Sequence, residues 1–237
     1  MREEREMLFS RGYVLVRELG RGGQACVYLV QGAGHGEYRA CKIGDRDRLL
    51  EEADLLRTVQ HPCFPRYYEF WQWEKRGVLI MEYICGRTLE EWLGDEQIPL
   101  EWVENWCLSL GEALHYLHGL PEMWIYRDLK PANVVIRGDG KVKLIDMGCA
   151  CPRNRVGESI AGTRGYCAPE QMYAPEYVGP YSDFYSLGII LQLLLAHVKK
   201  KGIREHWRSF VWKRVCRCLL NVGNCKRKGF LSKKMRF

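Results

Sequence analysis

Three short runs near the start of the chain, Tyr13–Leu19, Ala25–Gln31 and Tyr38–Ile43, carry the apolar and branched residues of strands. Glycine-rich turns at 20–23 and 32–36 separate them. From Leu49 to Val59 the period lengthens. Apolar residues at 49, 50, 53, 55, 56 and 59, with acids early, predict an amphipathic helix that stops at His61-Pro62. Two further strands follow, Tyr67–Gln72 and Gly77–Glu82. Beyond Thr88 the pattern is helical, over Leu89–Leu93, Leu100–His118 and Asp183–His197, and again over 203–222, where Ile203, Trp207, Phe210, Val211, Val215 and Leu219 recur at helical spacing. Strands first and helices afterwards predict an α+β chain. Residues 1–84 form a small β-rich part with one helix and residues 85–237 a larger, mostly helical part, meeting near Ile84-Cys85-Gly86.

Composition narrows the class. With 47% apolar and 12% aromatic residues in 237, and only 24 glycines and 9 prolines, the chain is neither disordered nor low in complexity. The net charge of +7 is uneven. Residues 199–237 hold 14 Lys/Arg against one acid, Glu205, whereas residues 1–198 hold 22 Lys/Arg against 28 Asp/Glu. A mildly acidic body therefore carries a strongly basic C-terminal segment. The N-terminus is charged with no apolar signal region, and the apolar run Leu187–Ala196 is too short to span a bilayer. Eleven cysteines in such a chain point to a reducing, cytoplasmic setting. The pairs Cys149/Cys151 and Cys216/Cys218 have no histidines at zinc-ligand spacing and read as thiols rather than metal ligands.

Five segments carry candidate chemistry. Leu19-Gly-Arg-Gly-Gly-Gln-Ala-Cys-Val27 puts glycines between two strands, where backbone N–H groups can approach phosphates; alone it reads better as a glycine-rich hairpin turn. Lys42 follows on the third strand, and the next helix carries Glu51 and Glu52, able to hold that lysine by charge. Then come Tyr126-Arg-Asp-Leu-Lys-Pro-Ala-Asn133, Ile145-Asp-Met-Gly148 and Gly162-Thr-Arg-Gly-Tyr-Cys-Ala-Pro-Glu170. Asp128 precedes Asn133 by five residues and Asp146 by eighteen, and Asp146 precedes Glu170 by twenty-four.

In these motifs, their order and their spacing, nearly the whole chain resembles the eukaryotic-like (Hanks-type) Ser/Thr protein kinases. The resemblance implies a bilobal protein-kinase-like fold and an ATP- and Mg²⁺- (or Mn²⁺-) dependent enzyme that phosphorylates Ser/Thr hydroxyls of proteins, its own included. By resemblance, Asp128 orients the acceptor hydroxyl and takes its proton, and Lys130 approaches the γ-phosphate. Asn133 and Asp146 are the metal ligands. Lys42, paired with Glu52, holds the α- and β-phosphates. Leu19, Gly20 and Gly22 belong to the phosphate loop, Val27, Ala40 and Val135 enclose the adenine, Met81 is the gatekeeper, and Glu82 to Ile84 form the hinge. Arg127, Thr163 and Ser159 are regulatory, Ser159 standing where such kinases carry their activating phosphate. Lys130 favours Ser/Thr over Tyr as acceptor.

Departures from the pattern refine these expectations. Ala25 replaces the third loop glycine. Tyr126 and Met147 replace His and Phe in a hydrophobic spine that also takes in Leu56 and Tyr67, where thioether and aromatic ring pack well. Only ten residues separate Lys42 from Glu52, which implies a helix held close to its active position. After Asp183–Gly188 the chain lacks the usual Gly-x-x-Pro-Phe turn, so the helical lobe is abbreviated at its end, with Arg227 as the expected partner of Glu170. The style of Tyr126-Arg-Asp128, Asp146-Met-Gly148 and His61-Pro-Cys-Phe-Pro65 is closer to bacterial relatives, and the chain reads as a free catalytic domain or a piece of something longer. Two alternatives remain, a nucleotide-binding pseudokinase scaffold and a small-molecule kinase of related fold. Lys42, Asp128, Asn133 and Asp146 together speak against the first, and Gly162–Glu170 against the second. The basic tail reads as a solvated face or a docking site for an acidic protein or anionic lipid, with no specific nucleic-acid binding.

Overall fold

The computed structural model describes residues 2–23, 25–32, 36–94 and 98–198, which fall into two units. One unit takes its residues from 1–89 and 132–150, the other from 90–131 and 151–237. The expected helix over 203–222, the basic tail, Arg227 and the Cys216/Cys218 pair lie outside the described residues.

In the first unit, helix α1 (Arg2–Ser10) precedes the strands β1 (Tyr13–Arg21), β2 (Ala25–Gly32), β3 (Tyr38–Asp45), β4 (Tyr67–Trp73) and β5 (Arg76–Glu82), with α2 (Arg46–Thr58) between β3 and β4. The strands form one antiparallel sheet in the order β1-β2-β3-β5-β4. Its core holds Tyr28, Val30, Cys41, Ile43, Trp71, Val78 and Ile80, joined by Leu8 of α1. The sequence reading anticipated the five strands and α2 but not α1, whose apolar residues are few and adjacent. Its helicity rests on the buried Leu8 and on the Glu4–Arg76 ion pair at 3.5 Å.

No loop separates β3 from α2. Asp45 ends the strand and caps the helix, its Oδ1 accepting the Arg48 N–H at 3.1 Å, so the helix starts three residues earlier than periodicity suggested. At Gly77 of β5 an added Cβ would sit 3.2 Å from Arg46 Cα and 2.9 Å from the Phe70 ring, so glycine lets the start of α2 lie close against the sheet.

The first unit is completed by β6 (Gly86–Thr88), β8 (Val134–Arg137) and β9 (Val142–Leu144), a small sheet in the order β6-β8-β9. Gly86 is required there, since a Cβ would fall 2.3 Å from the Ile136 carbonyl oxygen. The Leu144 N–H donates to the Cys63 carbonyl at 2.7 Å, and the buried Lys143 Nζ donates to the Phe64 carbonyl at 3.1 Å and to Glu82 Oε2 at 2.8 Å.

The second unit contains α3 (Leu89–Leu93) in its larger part, α4 (Leu100–His118), β7 (Trp124–Ile125), β10 (Cys151–Pro152), α5 (Pro169–Tyr173) and α6 (Pro180–Ala196). On α4, Val103, Trp106, Cys107, Leu110, Leu114 and Leu117 are buried at helical spacing, and this helix packs against α6. Trp92, Trp102 and Trp106 form an aromatic cluster with ring centroids 5.7 to 5.9 Å apart. Short β7 pairs with β10, which puts Cys151 opposite Ile125.

Candidate active site

Two clusters of polar side chains stand out, one in each unit. In the first, Lys42 lies on β3 between Val27 of β2 and Leu79 of β5, and its Nζ reaches both oxygens of Glu52 on α2, at 3.0 and 2.7 Å. The same Nζ donates to Asp146 Oδ1 at 2.8 Å. The Met147 N–H donates to Glu52 Oε1 at 3.3 Å and the Gly148 N–H to Asp146 Oδ1 at 3.0 Å. A Cβ on Gly148 would lie 3.2 to 3.4 Å from Asp146, Lys42 and Glu52 at once, so the glycine lets the backbone close over the cluster. Burial works to strip Lys42 of its proton, but Glu52 and Asp146 outweigh it and hold the ammonium above the ordinary lysine value. Burial also lifts the Glu52 carboxyl, against the pull of Lys42.

The other nucleotide-site candidates of the first unit lie on β1, β2, β3, β5 and β8 or at their ends. Ala40 pairs with Met81 across β3 and β5, both buried, and Val135 is buried on β8. Leu19, Gly20 and Gly22 lie at the end of β1, where the pairing to β2 shifts register and the Gly22 N–H closes the turn onto the Ala25 carbonyl at 2.9 Å. Glu82 is held by Lys143, by the Arg66 N–H at 3.1 Å and by Arg137 at 3.6 Å, with Ile84 two residues on. Asn133 is buried beside β8, its carbonyl accepting from the Ile145 N–H. Asn133 and Asp146 are hard oxygen donors, and no cluster of three or more His, Cys, Asp or Glu among the described residues could hold a metal unaided. That donor set suits a Mg²⁺ that keeps its waters and arrives on phosphate oxygens.

In the second unit, the Thr163 hydroxyl donates to Asp128 Oδ1 at 2.7 Å, Lys130 Nζ donates to Thr163 Oγ1 at 2.9 Å, and the same Nζ is 2.9 Å from Asp128 Oδ2. Carboxylate, ammonium and an aliphatic hydroxyl thus close a triangle. Arg127 has φ +67°, a left-handed conformation costly for a long side chain. Its guanidinium donates to the Ser159 carbonyl at 3.2 Å and lies 3.4 Å from Ser159 Oγ.

Sequence reasoning missed the residues that hold this geometry. Asp183 of α6 is almost fully buried and accepts the N–H groups of Tyr126 and Arg127 at 2.9 and 2.8 Å, with His118 Nε2 at 2.8 Å. The available signal was an acid at the head of the apolar run 184–195. Gln171 of α5 was not singled out either. Glu170 accepts from Ser182 Oγ at 2.8 Å. Cys149 is partly exposed and Cys151 buried, neither of them in a disulfide. Of the spine candidates, Leu56, Met147 and Tyr126 are buried and Tyr67 is half-buried. No helix among the described residues is long and apolar enough to cross a membrane.

Residues 13–206 match the protein kinase domain. CBL-interacting serine/threonine-protein kinase 8 of Arabidopsis thaliana is 33% identical over 204 residues, 78% of this chain and 44% of that protein. Serine/threonine-protein kinase Wnk of Drosophila melanogaster is 35% identical over 157 residues, 63% of this chain and 6% of that protein. Sperm motility kinase 3A of Mus musculus is 31% identical over 192 residues, 77% of this chain and 38% of that protein. The chain spans less than half the length of these relatives. A match over residues 13–206, by a chain that folds into a β-rich and a helical unit, shows that it belongs to the protein kinase domain family.

Proposed function

We propose that this chain is an ATP- and Mg²⁺-dependent protein kinase that transfers the γ-phosphate to Ser/Thr hydroxyls of proteins and phosphorylates itself. The observation that carries this reading is the Thr163 hydroxyl, bound at once to Asp128 and Lys130, because an acceptor serine or threonine needs the same two partners. In the transfer step, Asp128 receives the proton of the attacking hydroxyl as its oxygen bonds to the γ-phosphorus. The bond from that phosphorus to the bridging oxygen breaks, and ADP leaves with the electron pair. Lys130 neutralises charge on the moving phosphoryl group. Lys42, kept charged by Glu52 and Asp146, holds the α- and β-phosphates. Mg²⁺, when bound through Asn133 and Asp146, supplies further neutralisation of phosphate charge.

Within this reading, residues 1–84 act as the N-lobe and 85–237 as the C-lobe. Leu19, Gly20, Gly22, Val27, Ala40, Met81, Glu82, Ile84 and Val135 contact the nucleotide, and the enzyme works in the cytoplasm on protein substrates. The motif style supports a place among bacterial members. Two other readings, a nucleotide-binding scaffold and a small-molecule kinase, make different predictions. Incubation with labelled ATP and Mg²⁺, wild type beside Asp128→Asn, separates them. The protein-kinase reading expects label on the chain and on a generic protein substrate, reduced at least about 100-fold in the variant. Nucleotide binding without label overturns it in favour of the scaffold.

A further inference from the structure

Gln171 directly follows Glu170 and is only 1% exposed. Three of the four hydrogen-bonding positions of its amide are used. Its Oε1 accepts the Ala168 N–H at 3.0 Å, while Nε2 donates to the Arg127 carbonyl at 2.6 Å and to the Ala161 carbonyl at 3.1 Å. Those two carbonyls sit at telling places. The Arg127 carbonyl belongs to the peptide bond leading into Asp128, and Ala161 stands two residues before Thr163. One NH₂ group therefore spans the catalytic loop and the segment that carries the Thr163 hydroxyl.

The backbone around this bridge is set to admit it. Arg127, with φ +67°, has its N–H fixed by Asp183 and its carbonyl by Gln171, so both flanking peptide planes are held. Gly162 has φ +118°, and a Cβ there would lie 2.8 Å from Gln171 Nε2, 2.8 Å from Cys167 Cβ and 3.0 Å from the Arg127 carbonyl oxygen. The glycine leaves room for the amide and for nothing more. The nearest substitutes for Gln171 fail the requirement. Glutamate would set a carboxylate against two carbonyl oxygens, leucine or methionine would leave both carbonyls without this donor, and asparagine is one methylene short.

We infer that Gln171 is a positioning residue for phosphoryl transfer, its amide fixing the register between Thr163 and Asp128. The inference rests on the kinase reading proposed above and adds to it a residue that touches neither nucleotide nor acceptor. Gln171 acts through the Thr163–Asp128 hydrogen bond, so its effect falls on turnover and not on nucleotide affinity.

The test uses the full chain, with kcat, the KM for ATP and the melting temperature measured for wild type, Gln171→Leu, Thr163→Val and the double variant. Gln171→Leu is expected to lower kcat roughly 10- to 100-fold with the ATP KM unchanged, since small misplacements of reacting groups carry penalties of that size. Added to Thr163→Val it should lower kcat less than about twofold further, the signature of two residues acting through one contact. Retention of kcat in Gln171→Leu, or two losses that multiply, overturns the inference. Should Gln171→Leu fail to fold, Gly162→Ala presses on the same amide from the other side and must show the same split between kcat and KM. If the wild type transfers no phosphate, the kinase reading fails separately. Hydrogen exchange over residues 159–168 then decides, with faster exchange in Gln171→Leu supporting the bridge and unchanged exchange rejecting it.

Discussion

Lys42 Nζ and Asp146 Oδ1 stand 2.8 Å apart although 104 residues separate them in the chain, and Glu52 closes the group from the adjacent helix. Glu52 is the most deeply buried member, with its side chain 1% exposed. A carboxylate at that depth is tolerable only with its cation in place.

Loss of that cation should therefore cost both stability and activity. Lys42→Met leaves Glu52 buried without its ammonium and should lower unfolding free energy by about 3–5 kcal/mol. Lys42→Met with Glu52→Leu should restore most of the stability while phosphoryl transfer stays lost. Urea unfolding beside a labelled-ATP assay reads the two effects, and a double variant no more stable than the single one contradicts the account.

Arg127 and Ser159 are already in contact, which predicts where a regulatory phosphate will sit. A phosphoserine carries a charge of about −1.5 to −2 and would meet the Arg127 guanidinium within the present loop geometry. Incubation with ATP should add phosphate at Ser159, and Ser159→Ala should lower activity. Mass spectrometry showing Ser159 unmodified in a fully active preparation rejects the site.

Helix α1 lies outside the residues matched by the family, yet Leu8 is fully buried among Tyr28, Val30, Trp71 and Ile80. Leu8→Ala should cost about 2–5 kcal/mol, as large-to-small changes in a packed core do. Removal of residues 1–10 should lower the melting temperature further. An unchanged melting temperature in either variant would mean that α1 adds nothing to the sheet.

Burial pushes the Cys107 thiol on α4 from 9.0 to about 12. Its folded pKa is raised, so the unfolded chain gives up this proton first as pH climbs. Stability from the buried thiol is complete below pH 9 and falls between pH 9 and about 12, by at most about 1.4 kcal/mol per pH unit. Urea midpoints measured from pH 8 to 11 should fall less steeply in Cys107→Ala than in wild type. Equal slopes would contradict the assignment.

The sequence by itself determined the five strands, the helix bearing Glu52 and the helices 89–93 and 100–118, because their apolar and branched runs, the turn residues between them and the helical spacing are written along the chain. It also named the candidate chemistry, since Lys42, Asp128, Asn133 and Asp146 stand in motifs whose spacing is specific. It did not determine α1, whose single fully buried residue has no periodic partner within the helix, nor the three-residue strand Gly86–Thr88, in which Arg87 pairs with Ile136, 49 positions away. Asp183 and Gln171 were equally silent. Their work is to satisfy backbone groups of Tyr126, Arg127 and Ala161, and a carbonyl or an N–H has no letter in the sequence. Only the tertiary structure decides which side chain answers which backbone group, because that depends on where distant segments are brought to rest and not on the residues that flank them.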